Sequence, residues 1–329
     1  MEVLSERLIE EIDRQYDIPD VISVGKVEGG KMGNNFWLET KAEKYFFREY
    51  RITSPARIKE IHDAKAYFAG QGMPVILPIL TRSGGTSFSF KDKIYSLFPY
   101  VNGVNVPREG LREEHLSKMG KFLAEMHLAG KNPPAFIKEK ERVWNKEKFI
   151  ERARAFLAII EKKKVQDDFD RLALKKLNRQ IDLAEKNRVE YSIEYPLHLT
   201  HNDFHNYNIF FDKDGEISRI FDWEKVQLGT RAKEVARALE LNVFERGFTN
   251  EAFEKAKVFL RSYRDIYPLS KEEFLDGVKK RYLNIMHSKW IEEEHYEKKN
   301  FRVDPFLLND YDRIIYYNEH LDEYVDRLM

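Results

Sequence analysis

The chain has 329 residues, with 56 Lys and Arg against 56 Asp and Glu and no cysteine. Charge parity argues against a nucleic-acid footprint, which needs a basic surplus, and the length is enough for one large domain or two lobes. The missing cysteines exclude a disulfide framework, a thiolate nucleophile and a cysteine zinc site, and fit a reducing compartment, so a cytoplasmic location is expected.

The first twenty residues are acidic and amphipathic, unlike a secretory signal. Val3, Leu4, Leu8, Ile9 and Ile12 recur at helical spacing and predict a helix over 3–16. A strand over 21–27 runs into Glu28-Gly29-Gly30-Lys31-Met32-Gly33-Asn34-Asn35, and a second strand follows over 36–39. Strand, glycine turn, strand is the shape of a loop that covers a nucleotide. Gly29, Gly30 and Gly33 would let backbone N–H groups reach phosphate oxygens with no Cβ in the way, and Asn34 sits beside them. No Gly-Lys-Ser/Thr enters a helix, so this is not a Walker loop. Taken alone, the segment is better read as a plain hairpin turn, and its place ahead of the hairpin at 209–221 is what favours the nucleotide loop.

Residues 44–50 form a third strand carrying Arg48. Ser54-Pro55 reads as the N-cap and first position of a helix over 55–69, with Ile58, Ile61 and Phe68 as its buried stripe. Strands are predicted from 73 to 76 and from 94 to 100. The apolar run 73–80 is too short to span a bilayer. Leu116, Met119, Leu123 and Met126 line a helix over 113–129, where Gly120 permits another helix to approach and His127 packs or caps. Charged amphipathic helices fill 143–188. Helices follow over 230–241, 250–266, 270–298 and 306–327. Residues 290–296 mix carboxylates with aromatics, a combination suited to an ammonium group or to a solvated acidic face.

The most informative stretch is 198–224. Asp203 and Asn208 are followed by an apolar run at 209–211, the turn Asp212-Lys213-Asp214-Gly215, a second strand at 217–221 and Asp222. An Asp-Gly turn between apolar runs predicts a hairpin. Asn208 enters its first strand and Asp222 leaves its second, so an amide oxygen and a carboxylate meet at the open end, where they can share Mg²⁺. Asp203 precedes them on a loop, where it can face a substrate hydroxyl. This is the order of a phosphoryl-transfer site. A competing reading takes His198, His201, Asp203 and His205 as a metal-hydrolase cluster.

The segment His201-Asn202-Asp203-Phe204-His205-Asn206-Tyr207-Asn208, with Phe221-Asp222-Trp223, resembles the catalytic and metal segments of the aminoglycoside phosphotransferase family. That family includes choline kinases and type II homoserine kinases. Asn202 stands where the family usually has Gly. The resemblance implies an α+β, two-lobed protein-kinase-like fold, with a nucleotide lobe over 1–100 and a catalytic and acceptor lobe over 101–329. It implies an ATP- and Mg²⁺-dependent kinase acting on a hydroxyl of a small molecule, with no nucleic-acid or membrane partner. It assigns Asp203 to catalysis, Asn208 and Asp222 to the metal, and Gly33-Asn34 to the phosphate loop. Arg48 takes the place of the strand cation that holds the phosphates, braced by Glu60 on the next helix. The strand leading to the hinge brings Ser96, Phe98 and Tyr100 to the adenine. Glu234 stands near the family's loop-bracing Asp. A nucleotide-binding relative without turnover is the alternative that Arg48 motivates.

Overall fold

The structure is a computed structural model; it describes residues 4–27, 34–101, 103–141, 144–187, 189–191 and 195–329. In chain order the elements are α1 (Glu6–Gln15), β1 (Val21–Lys26), β2 (Asn34–Thr40), β3 (Lys44–Tyr50), α2 (Pro55–Gly70), β4 (Phe88–Phe90), β5 (Lys93–Pro99), α3 (Glu113–Ala129), α4 (Lys146–Glu161), α5 (Asp168–Lys186) and β6 (Leu197–Thr200). Then come β7 (Ile209–Phe211), β8 (Ile217–Ile220), β9 (Gln227–Thr230), α6 (Arg231–Asn242), α7 (Asn250–Ile266), α8 (Lys271–Met286), the one-turn α9 (Trp290–Glu292) and α10 (Phe306–Leu328). Two compact units result. The first is Met1–Pro107, Asn132–Glu139 and Asn206–Gln227; the second is Arg108–Lys131, Lys140–His205 and Leu228–Met329. The hairpin β7–β8 thus groups with the N-terminal strands, on the other side of a single cut at residue 100.

In the first unit five strands form an antiparallel sheet in the order β1-β2-β3-β5-β4. Alternation along each strand divides its side chains between two faces. Phe36, Leu38, Tyr45, Phe47, Tyr95 and Leu97 join Leu4, Leu8, Ile12 and Tyr16 in one apolar core, with α1 as its cover. The intervening residues Phe46, Arg48, Tyr50, Ser96 and Phe98 belong to the opposite face. Against that face α2 brings His62, whose Nε2 lies 2.8 Å from the Tyr50 hydroxyl. It also brings Lys65, whose Nζ lies 4.1 Å from the Phe98 ring centre. The Ser54 side chain caps α2 by accepting from the Arg57 N–H, as the Ser-Pro pair predicts. The strand expected at 73–76 is reduced to one bridge, Val75 to Ile220. Pro74 and Pro78 have no N–H for a longer ladder.

The second unit is mainly helical, with β6 and β9 forming a short two-stranded sheet. α3 packs on α7 through Gly120: a Cβ there would meet the Phe259 carbonyl oxygen at 2.2 Å. The helix expected over 270–298 stops at Met286. The His287 ring donates to the Leu283 carbonyl at 2.8 Å, and the chain resumes as α9 and a π-helical turn, Glu293–Glu297. Among the described residues no helix is long and apolar enough to cross a membrane.

On an exposed helix Gly→Ala stabilises by about 1 kcal/mol. At Gly120 the new methyl collides with backbone, so Gly120→Ala should instead lose roughly 1–3 kcal/mol. The check is a lower urea midpoint at unchanged slope.

Candidate active site

In the hairpin, Ile209 pairs with Ile220 and Phe210 with Arg219. Asp212 forms the turn by accepting from the N–H groups of Asp214 and Glu216, both at 2.9 Å, and Gly215 takes a positive φ of 74°. The Phe221 N–H donates to the Asn208 carbonyl at 2.8 Å. The ladder therefore continues one pair beyond the strands, and Asn208 and Asp222 arrive together at the open end. The Asn105 amide donates to the Ile209 carbonyl at 2.8 Å and the Asn206 amide to the Val106 carbonyl at 2.8 Å, pinning the turn that delivers Asn208. Asp222 is left-handed, with φ 54° and ψ 66°, a conformation that short Asx side chains tolerate better than most. An amide oxygen and a carboxylate are hard donors of the kind Mg²⁺ takes.

Asp222 Oδ1 accepts from Arg48 at 2.9 Å, and Glu224 Oε1 accepts from Arg48 Nη2 at 2.6 Å and from Nε at 3.0 Å. Burial works against the Arg48 charge. Asp222 and then Glu224 outweigh it and raise the guanidinium above its ordinary range. The expected brace from Glu60 is not formed. Glu60 pairs with Arg57 and accepts from the N–H groups of Lys138 and Glu139, at 2.6 and 2.8 Å. Two acidic groups beyond the hairpin satisfy Arg48, and Glu60 instead ties α2 to the 132–139 segment. Burial, then the Arg48 charge, pull the Lys65 ammonium well below the usual lysine range, with Asp222 opposing them.

Of the other expected nucleotide contacts, Gly29, Gly30 and Gly33 lie outside the described residues. Asn34 starts β2, where its amide donates to Glu49 at 3.1 Å. Ser96 is fully buried; it pairs with Arg48 in the sheet and its hydroxyl donates to the Thr86 carbonyl at 2.9 Å. Its hydroxyl is thus engaged within the first unit. Phe98 is buried on the α2 side, and Tyr100 is exposed just past β5.

In the second unit Asp203 sits on a loop that is tightly held. Asn202 adopts φ 61°, which accounts for a residue type tolerant of the left-handed region where glycine is usual. Glu234 on α6 accepts from the N–H groups of His201 and Asn202. Its carboxylate also lies 2.8 Å from His127 Nε2, and His127 Nδ1 is 2.8 Å from the Tyr263 hydroxyl. His127 is thus a support behind the loop. Arg237, one helical turn after Glu234, donates to Asp203 Oδ1 at 2.7 Å and to the Asn202 carbonyl at 3.0 Å. The Arg237 guanidinium thus fixes where the Asp203 carboxylate points.

Sequence reasoning missed Arg237, Glu224 and Lys65. The i, i+3 spacing from Glu234 was the one signal available for Arg237. The competing histidine cluster does not assemble. His198 contacts the Tyr267 hydroxyl and the Pro196 carbonyl, both at 3.1 Å, and the His201 ring accepts from the Asp203 N–H. Among the described residues no group of three or more His, Asp or Glu is gathered to hold a metal.

The sequence matches the phosphotransferase enzyme family over residues 24–269. The chain belongs to that family. Within this phosphotransferase group it is similar to the homoserine kinase of Brucella anthropi, at 24% identity over 267 residues covering 79% of this chain and 75% of that one. It also resembles a spectinomycin phosphotransferase solved with ADP and spectinomycin, at TM-score 0.69 and 16% identity over 99% of this chain and 98% of the other. An amicoumacin kinase solved with AMP-PNP and Ca²⁺ matches at TM-score 0.66 and 15% identity over 94% of both chains. The fold is the kinase-like α+β phosphotransferase fold that the motifs anticipated.

Glu234→Ala should remove about 3 kcal/mol, because it strands buried donors in one step, and should lower turnover further by loosening the Asp203 loop. Denaturant melts beside kcat will separate the two losses. For His62, burial and then the Lys65 and Arg48 charges depress the pKa to about 3. The unfolded chain binds this proton near pH 6.5 and the folded chain does not until about pH 3. Stability should therefore fall as pH drops through that window. Unfolding free energies at pH 7.5 and 5 should differ less in His62→Gln than in the wild type.

Proposed function

We propose that this phosphotransferase moves the γ-phosphoryl group of ATP to a hydroxyl of a small molecule, with Mg²⁺ as the metal. The observation that supports the reading is the joining of Arg48 on β3 to Asp222 at the mouth of the hairpin, a cation able to bind phosphate beside a carboxylate able to bind a metal. Asn208 and Asp222 would hold the ion; Mg²⁺, when bound, supplies charge neutralisation for the β- and γ-phosphates. Glu224 and Asp222 take the Nε and Nη2 donors of Arg48, and its Nη1 would be the group that meets phosphate oxygens. Asp203, oriented by Arg237, would align the acceptor hydroxyl and receive its proton. The nucleotide complexes of the spectinomycin and amicoumacin enzymes support a nucleotide donor, and Ca²⁺ in the latter supports a divalent ion.

The homoserine kinase and spectinomycin phosphotransferase relatives favour an acceptor that is a small hydroxylated metabolite or antibiotic. ATP with Mg²⁺ should raise the melting temperature, and ATP consumption should appear with one member of a panel holding homoserine, choline, spectinomycin and sugars. Asp203→Asn should cut kcat by about 10²–10⁴-fold while the ATP-induced melting shift persists. Full turnover in that variant would remove Asp203 from its role. Nucleotide binding with no acceptor consumed would make the chain a binder.

A further inference from the structure

We infer that the Lys65 ammonium is a phosphate-binding group of the nucleotide site, a second cation beside Arg48; this rests on the phosphotransferase reading above. Four lysines are buried among the described residues: Lys65, Lys176, Lys233 and Lys280. Lys176 has carboxylates at 2.9 and 3.1 Å, Lys233 one at 3.2 Å and Lys280 one at 3.1 Å. A buried ammonium without such a partner is strongly disfavoured, and the three pairs follow that rule. Lys65 does not. It is 7% exposed, and among the described residues its charge meets the face of Phe98 and no hydrogen-bond or ion-pair partner.

The carboxylates that might have served it are engaged. Asp222 and Glu224 both bind Arg48, at 2.9 and 2.6 Å. Arg48 facing two carboxylates leaves a formal charge of minus one on this side of the sheet, which repels a polyphosphate. Lys65, on the same face, would offset that charge when protonated, and an incoming anion favours its protonated form. Its location also selects the ligand. Phe98, the ring beneath the ammonium, pairs with Phe46 on the strand of Arg48 and lies two residues before Tyr100, at the end of the strand expected to reach the adenine. The missing partner is therefore an external anion on the Arg48 face, and a nucleoside polyphosphate fits that description. A purely structural lysine would instead serve as a cation–π prop for Phe98.

Lys65→Met keeps the length and removes the charge. The apo variant should melt at or above the wild-type temperature, since a buried amine with no hydrogen-bond or ion-pair partner has gone. Its ATP affinity should weaken at least tenfold, stabilisation by inorganic tripolyphosphate should vanish, and adenosine affinity should stay within twofold. Lys65→Arg should keep ATP affinity within threefold. Should Lys65→Met fail to fold, Lys65→Gln carries the same comparison. ATP binding at wild-type strength in the neutral variant, or equal losses for ATP and adenosine, would overturn the assignment alone. A wild-type protein that binds neither ATP nor tripolyphosphate would overturn the phosphotransferase reading and this assignment with it.

Discussion

A single guanidinium sets the terms for the first unit. Arg48 is enclosed by the sheet, α2 and the hairpin mouth, where an unpaired charge is not tolerated. Asp222 and Glu224 neutralise it from positions 174 and 176 residues further along the chain. This pairing requires the hairpin to be in register, because a one-residue slip would turn Asp222 to the other face. It also requires the left-handed backbone at Asp222, which re-aims the carboxylate as the strand ends. The Asp212 turn, the Asn105 and Asn206 clamps and the Phe221-to-Asn208 bond all support that geometry. Breaking the pair by removing one partner is far more damaging than never having built it.

The second unit repeats the logic with the signs reversed. There one buried carboxylate, Glu234, gathers two backbone N–H groups and an imidazole. Arg237, from the same helix, holds the Asp203 carboxylate. The loop bearing Asp203 is thus fixed by donors and acceptors from one rigid helix. Glu234 lies where the family's bracing aspartate was anticipated, and its longer side chain reaches the loop amides.

Short-range order was legible in the residues themselves. The Asp-Gly turn between apolar runs, the Ser-Pro start of α2 and the apolar stripe of α3 depend on neighbours within a few positions, and each element lies within a residue or two of its expected bounds. Even Gly120 was interpretable, because a lone glycine in a strong helix needs a packing reason. Ion pairing was much less legible. Nothing local distinguishes Glu60 from Glu224 as the partner of Arg48; only the folded chain sets the distances. Lys65 and Arg237 were hidden among many helical charges, for which solvation is the ordinary reading. The 73–76 strand failed because apolar content said strand while the prolines withheld donors. The break at His287 arises from a ring bonding back to its own helix, which periodicity does not register.

The division of the chain carries a consequence for synthesis. The first unit needs its last segment, which closes at Gln227 of 329 residues. The opening strands therefore leave the ribosome long before the acids that will neutralise Arg48 have been translated. During that interval a sheet whose Arg48 lacks its counter-charges must wait, either shielded by chaperones or only loosely formed. A gene fragment ending near residue 107 would yield not a miniature nucleotide module but a sheet missing its counter-charges.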